Sequence, residues 1–139
     1  MSESTSARLV GISHITLNVI DLEESVRFYC QVLDFRPLFE FDTDDFDRRL
    51  LRHPSGIILG LTVHRHPEAG TGFVEQSTGL DHLSFAVDSE ESLEAWVDRL
   101  GGAGVAHSGI QRSEATGSVL IPFRDPSDIQ LELYVMPPQ

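Results

Sequence analysis

Gly11-Ile-Ser-His14-Ile-Thr-Leu-Asn-Val19 returns later in the chain as Gly79-Leu-Asp-His82-Leu-Ser-Phe-Ala-Val87. The match continues outward from both copies. Asp21-Leu-Glu-Glu-Ser-Val-Arg-Phe-Tyr29 corresponds to Asp88-Ser-Glu-Glu-Ser-Leu-Glu-Ala-Trp96, and Pro54-Ser-Gly-Ile-Ile-Leu-Gly-Leu-Thr-Val63 to Pro126-Ser-Asp-Ile-Gln-Leu-Glu-Leu-Tyr-Val135. Three blocks repeated in the same order mark a duplicated module. The modules run over about 10–65 and 79–136, preceded by a flexible tail at 1–9 and joined by a Gly-, Pro- and Thr-rich link at His66–Thr78.

Each copy reads as strand, helix, then three strands. Ile12–Val19 alternates polar and apolar residues, the period of a half-buried strand. In Asp21–Leu33, Leu22, Val26, Tyr29 and Leu33 recur at helical spacing behind Asp21 as N-cap. Leu93, Trp96, Val97 and Leu100 repeat that pattern, with Asp88 or Ser89 as cap and Gly101-Gly102 as stop. Arg36–Phe41, Arg48–Arg52 and Ile57–Val63 are predicted strands, as are Ala106–Gln111, Val119–Phe123 and Ile129–Val135. The expected architecture is α+β: two tandem βαβββ modules forming a cup-shaped mixed sheet, with the helices on its outer face.

Strand alternation then sorts the side chains. Ile15, Leu17 and Val19 face the helix, and His14, Thr16 and Asn18 oppose them. In the second copy His82, Ser84 and Ala86 take the free face. On the last strand Gln130, Glu132 and Tyr134 lie opposite the core, and Ile58, Gly60, Thr62 and His64 are their counterparts. The repeat therefore relates His14 to His82 and Glu132 to Gly60. A lone histidine on a polar strand face is usually an ordinary solvated residue. Two at repeat-related positions with a carboxylate suit a divalent metal held by His14, His82 and Glu132, with Gly60 leaving the fourth position open to water or substrate. Thr16, Ser84, Gln130 and Tyr134 are the candidate substrate contacts. His64 and His66 read as rim residues, His53 occupies the turn position of Asp125, and His107 is expected to face solvent.

These modules, the histidine opening each one and the closing Phe123-Arg-Asp-Pro-Ser-Asp-Ile-Gln-Leu-Glu132-Leu-Tyr resemble the vicinal oxygen chelate superfamily. That group holds glyoxalases, bleomycin-resistance proteins, fosfomycin-resistance transferases and extradiol dioxygenases. Val26-Arg-Phe-Tyr-Cys-Gln-Val-Leu-Asp-Phe35 resembles its first helix and exit, with Asp34 standing for the usual glycine in a left-handed position. The resemblance implies the same three metal ligands, a divalent ion such as Fe(II), Mn(II), Zn or Ni, and a small substrate chelating through neighbouring oxygens. Within the group, Gly60 stands where glyoxalases carry a further acidic ligand, and the absence of lysine departs from the phosphonate-handling members. Pro122 stands near where extradiol enzymes use a tyrosine. Dioxygenase-type chemistry is the leading expectation. The alternatives are lyase or isomerase chemistry, or bleomycin-resistance-like binding without reaction.

Composition constrains the partners. Among 139 residues, 22 are acidic and 10 basic, all of the latter arginine, for a formal charge of −12. That balance excludes nucleic-acid backbones and anionic membrane surfaces as partners. Glu40–Asp47 carries five of the carboxylates and reads as a solvated loop or edge. No apolar run is long enough to span a membrane and the N-terminal stretch lacks an apolar signal segment, so the expectation is a cytoplasmic protein. A homodimer is expected because each free sheet face needs covering.

Overall fold

The structure, a computed structural model, describes residues 6–67 and 72–135. The first module holds β1 (Ile15–Asn18), α1 (Leu22–Gln31), β2 (Arg36–Asp42), β3 (Phe46–Arg52) and β4 (Ile58–His64). The second holds β5 (Leu83–Ala86), α2 (Glu90–Gly102), β6 (Gln111–Arg112), β7 (Val119–Arg124) and β8 (Gln130–Val135). Each builds its own four-stranded mixed sheet, in the orders β1-β4-β3-β2 and β5-β8-β7-β6. In both, the first and last strands are parallel neighbours and the remaining pairs are antiparallel. The duplicated sequence is thus a duplicated βαβββ fold. Residues 1–5 of the expected tail and 68–71 of the expected link lie outside the described residues.

Local chemistry explains the element ends. The Asp21 carboxylate accepts the Glu24 N–H at 3.0 Å and Ser89 Oγ accepts the Ser92 N–H at 3.1 Å, so Ser89 rather than Asp88 caps α2. Asp34 adopts φ 66, the left-handed conformation expected of it, and the Arg99 guanidinium holds its carboxylate at 2.8 and 2.9 Å. Gly101-Gly102 does not stop α2. The helix runs through both, and Gly104 at φ 72 makes the left-handed exit after Ala103. β1 is shorter than expected and leaves His14 just ahead of it. The strand expected over Ala106–Gln111 shrinks to Gln111–Arg112, because Gly109 at φ 73 breaks the extended backbone. His107 instead makes an isolated bridge to Phe123 and accepts the Gly109 N–H on Nδ1 at 3.0 Å. It is half-buried, not solvent-facing.

One buried cluster unites the modules, including Leu17, Tyr29, Leu59, Leu61, Leu93, Leu100, Ile121, Leu131 and Leu133. The contacts across it come from the helix-facing sides of both sheets. Phe35 meets Phe85 edge-on at 6.0 Å, and Phe28 lies 6.5 Å from Phe123. Tyr29 Oη donates to Asp125 Oδ2 at 2.8 Å, and the Ile20 N–H donates to Ser127 Oγ at 2.8 Å. Since strand side chains alternate, spending the apolar faces on this junction leaves the opposite, polar face of each sheet outside it. The candidate residues Thr16, Ser84, Gln130, Glu132 and Tyr134 lie on those polar faces, and His14 and His82 stand at the entrances to β1 and β5.

Candidate metal centre

Parallel pairing of β5 and β8 sets Ser84 beside Glu132. From there the His82 ring, at the entrance to β5, reaches the carboxylate, with Nε2 3.4 Å from Glu132 Oε1. On the other side of the ring Nδ1–H donates to Asp81 Oδ1 at 2.6 Å. That bond, ahead of the attraction of Glu132, pushes the His82 pKa above its ordinary value. It also fixes the proton on Nδ1 in the neutral ring and leaves the Nε2 lone pair directed at Glu132. Glu132 is sheltered, its side chain 13% exposed.

This pair fits a metal. Two donors bound to one ion at about 2.0–2.2 Å, at cis or tetrahedral angles, stand roughly 2.9–3.5 Å apart. The His82–Glu132 separation falls in that span without rearrangement. A neutral imidazole nitrogen and an ionised carboxylate are ordinary ligands for divalent first-row ions.

His14 lies elsewhere. It occupies the equivalent place in the first module, where Thr16 pairs with Gly60 as Ser84 does with Glu132. Its Nδ1 is hydrogen bonded to Ser13 Oγ at 2.9 Å, so both histidines have Nδ1 engaged by the residue before them. No three His, Cys, Asp or Glu side chains converge on one point among the described residues. Within one chain, then, His82 and Glu132 come together and His14 does not join them.

The surroundings revise the expectation for Gly60. The space above it is filled: an added Cβ would meet Thr16 Oγ1 at 2.8 Å and a Leu50 methyl at 3.2 Å. Side chains of the neighbouring strands, not an open coordination position, lie over the glycine. Thr16 and Ser84 are exposed on the polar faces. Gln130 Oε1 accepts from Arg124 at 3.2 Å, and that arginine also pairs with Glu75. The Tyr134 hydroxyl bonds the fully buried Ser118 Oγ. Of the four candidate contacts, Gln130 and Tyr134 are thus already engaged by their neighbours.

The remaining histidines behave as rim and turn residues. His64 Nε2 donates to Asn18 Oδ1 at 3.0 Å. His53 accepts the Ser55 N–H on Nδ1 at 3.0 Å, while its repeat partner Asp125 accepts from the Ser127 and Ile129 amides at 2.8 and 2.9 Å. The Glu40–Asp47 acids form a tight hairpin with exposed edges. Within it Arg49 pairs with Glu40 and Asp42 at 3.3 and 2.8 Å, and Arg65 reaches back to Asp47 at 2.5 Å. Sequence reasoning missed Ser13 and Asp81, although the polar residue preceding each histidine was visible in the repeat itself.

A family model described as the glyoxalase/bleomycin resistance protein/dioxygenase superfamily matches residues 11–133. The uncharacterized protein YwkD of Bacillus subtilis is 30% identical over 129 residues, covering 91% of this chain and 97% of that one. A crystal structure described as a glyoxylase/bleomycin resistance protein/dioxygenase domain from Frankia sp. EAN1pec superposes with a TM-score of 0.84 at 33% identity, covering 94% of this chain and all of that one. The fold is also similar to that of a mutant of the fosfomycin resistance protein FosX from Listeria monocytogenes, crystallised with Mn(II) and a dihydroxypropylphosphonic acid. There the TM-score is 0.71 at 19% identity, covering 94% of this chain and 93% of that one.

Proposed function

The chain belongs to the glyoxalase/bleomycin resistance protein/dioxygenase superfamily, and we propose that within it the protein is a metal-dependent enzyme whose divalent ion is held by His14, His82 and Glu132. The observation that carries this reading is the His82 Nε2–Glu132 Oε1 separation of 3.4 Å, with Asp81 fixing the opposite ring nitrogen. On its own sheet His14 likewise has Nδ1 engaged by the residue before it, Ser13. The third ligand is therefore the partner subunit's: each centre takes His82 and Glu132 from one protomer and His14 from the other of a homodimer. Two features support that arrangement. The polar sheet faces are left out of the intrachain junction, and the segment leading to His14 exposes Leu9, Val10 and Ile12 at 95, 97 and 82%, an apolar surface suited to burial between subunits.

Bound there, a divalent ion supplies Lewis acidity toward two neighbouring oxygens of a small substrate. This chain's residues do the rest. Thr16 and Ser84 offer hydroxyls on the two faces that close the cup, and Gln130 and Tyr134, already held by Arg124 and Ser118, give fixed polar contacts. Residue 60 is glycine, so it supplies no acidic side chain as ligand or base. Two histidines and one carboxylate match the ligand set of non-haem iron(II) oxygenases, which favours dioxygenase-type chemistry over a glyoxalase-type isomerisation.

Metal analysis of the purified protein tests the reading. About one divalent ion per protomer is expected, lost in His14→Ala, His82→Ala and Glu132→Ala alike. A protein that binds no ion overturns it in favour of a binding protein without chemistry, and an ion that survives His14→Ala overturns the three-ligand set.

A further inference from the structure

The polar face of the first module's sheet carries an arginine that no carboxylate neutralises. Pairing of β3 with β4 sets Arg48 opposite Thr62, and pairing of β4 with β1 sets Thr62 opposite Asn18, so Arg48 shares a face with His14. Its guanidinium is held on three sides. Nε donates to Oγ1 of the fully buried Thr62 at 2.8 Å, and the group lies 4.2 Å from the Phe46 ring centre and 5.6 Å from that of Phe41. Its terminal nitrogens, Nη1 and Nη2, meet no acceptor among the described residues.

The other arginines make this unusual. Arg49, adjacent but on the opposite face, pairs with Glu40 and Asp42; Arg65, Arg99, Arg112 and Arg124 each have a carboxylate as well. Arg8, Arg27, Arg36 and Arg52 have none but are exposed to water. Arg48 alone among the described arginines is half-buried without a carboxylate, in a chain where acids outnumber bases 22 to 10. A half-desolvated cation with idle donors is costly unless an anion arrives to accept them. The aromatic rings and Thr62 have already fixed its plane, so little side-chain freedom is lost when one does. With Nε occupied, the open edge is the Nη1–Nη2 fork, which suits the two oxygens of a carboxylate.

We propose that Arg48 recognises a carboxylate of the substrate, whose apolar body lies over Phe46 and Phe41. The register sets its distance from the metal. Arg48 lies opposite Asn18, four residues past His14 and two strands away, roughly 13 Å along and 10 Å across before the long side chain shortens the gap. The carboxylate is therefore separate from the chelating oxygens, at the far end of an acid with several atoms between.

This assignment rests on reading the cup as the substrate site and does not need the metal, so it is tested in EDTA-treated full-length protein. The probes are 3-phenylpropionate and 3-phenylpropionamide, which share a skeleton but exchange the carboxylate for a neutral amide, titrated by calorimetry. The acid is expected to bind about tenfold tighter than the amide, with the gap abolished in Arg48→Gln and partly kept in Arg48→Lys. Should Arg48→Gln fail to fold, Thr62→Val carries the test: it keeps the charge, removes its anchor, and must narrow the gap. Equal binding of acid and amide, binding of neither, or an undiminished gap in the variants overturns the proposal. A protein that discriminates the probes yet, untreated, carries no ion in the metal analysis refutes the metal centre and leaves Arg48 standing.

Discussion

At the scale of single residues, the ring nitrogen turned away from Glu132 matters as much as the one turned toward it. Asp81 accepts from His82 Nδ1 and so decides which nitrogen keeps its lone pair. Removing such a partner ordinarily lowers metal affinity about 10–100-fold. Asp81→Ala is expected to weaken Mn(II) binding by that factor in calorimetry, and Asp81→Asn by less, because its amide oxygen still accepts. In the metal-free protein, nitrogen NMR should find the neutral His82 ring protonated on Nδ1 in the wild type and shifted toward the Nε2 tautomer in Asp81→Ala; an unchanged tautomer removes Asp81 from the role. His82 and Glu132 were legible in the sequence because alternation and repeat both fix the face a residue occupies. Gly60 was misread because alternation says nothing about neighbouring strands: the Thr16 and Leu50 side chains that fill its space belong to β1 and β3. Arg48 escaped notice for the same reason, since Phe41 and Thr62, which help fix its guanidinium, lie on the strands to either side, β2 and β4.

At the scale of elements, the exit of α1 is tied to α2 by Asp34 and Arg99. The arginine's hydrogen bond holds the Asp34 carboxyl below its ordinary value. A lowered folded-state pKa contributes stability that is fully present above the unfolded value and lost as pH falls through the folded one. Asn tolerates the left-handed backbone at this position, so Asp34→Asn isolates the ion pair from the turn. The carboxylate is 55% exposed, and such pairs contribute about 0.2–1 kcal/mol at most. Urea unfolding of wild type and Asp34→Asn should therefore differ by no more than this at pH 7. The difference should vanish in the acid range below the Asp34 pKa; one that persists there belongs to the backbone instead. Asp125 runs the other way. Burial raises its pKa despite the Tyr29 and amide hydrogen bonds, so its contribution is largest at low pH and declines as pH rises through the raised value. Caps and helix spans were readable because they depend on neighbours in sequence. The shortened β6 was not, because nothing in Ala106–Gln111 announced that Gly109 would leave the extended region.

At the scale of the whole molecule, the −12 charge is mostly external. Glu23, Glu24, Glu90 and Glu91 occupy the first turns of the two helices, and the hairpin acids pair with Arg49 and Arg65. The polar faces keep Glu132 and Arg48, opposite charges on different sheets. The sequence established both modules and which face each residue takes, yet alternation is silent on which sheets face one another. In this chain the apolar sides meet through Phe35, Phe85, Tyr29 and Asp125, so the polar faces are left to look outward. If each cup closes between subunits of a two-fold dimer, every centre combines residues from both chains. Mixing two defective variants tests this. His14→Ala and Glu132→Ala each destroy both centres of their own homodimer. A mixed dimer keeps one intact centre, with His14 from one chain and His82 and Glu132 from the other. After joint unfolding and refolding at equal amounts, random reassortment makes half the dimers mixed, so about a quarter of the wild-type metal content should return. Were the three ligands gathered within one chain, every chain in the mixture would still lack one, and no metal would be recovered.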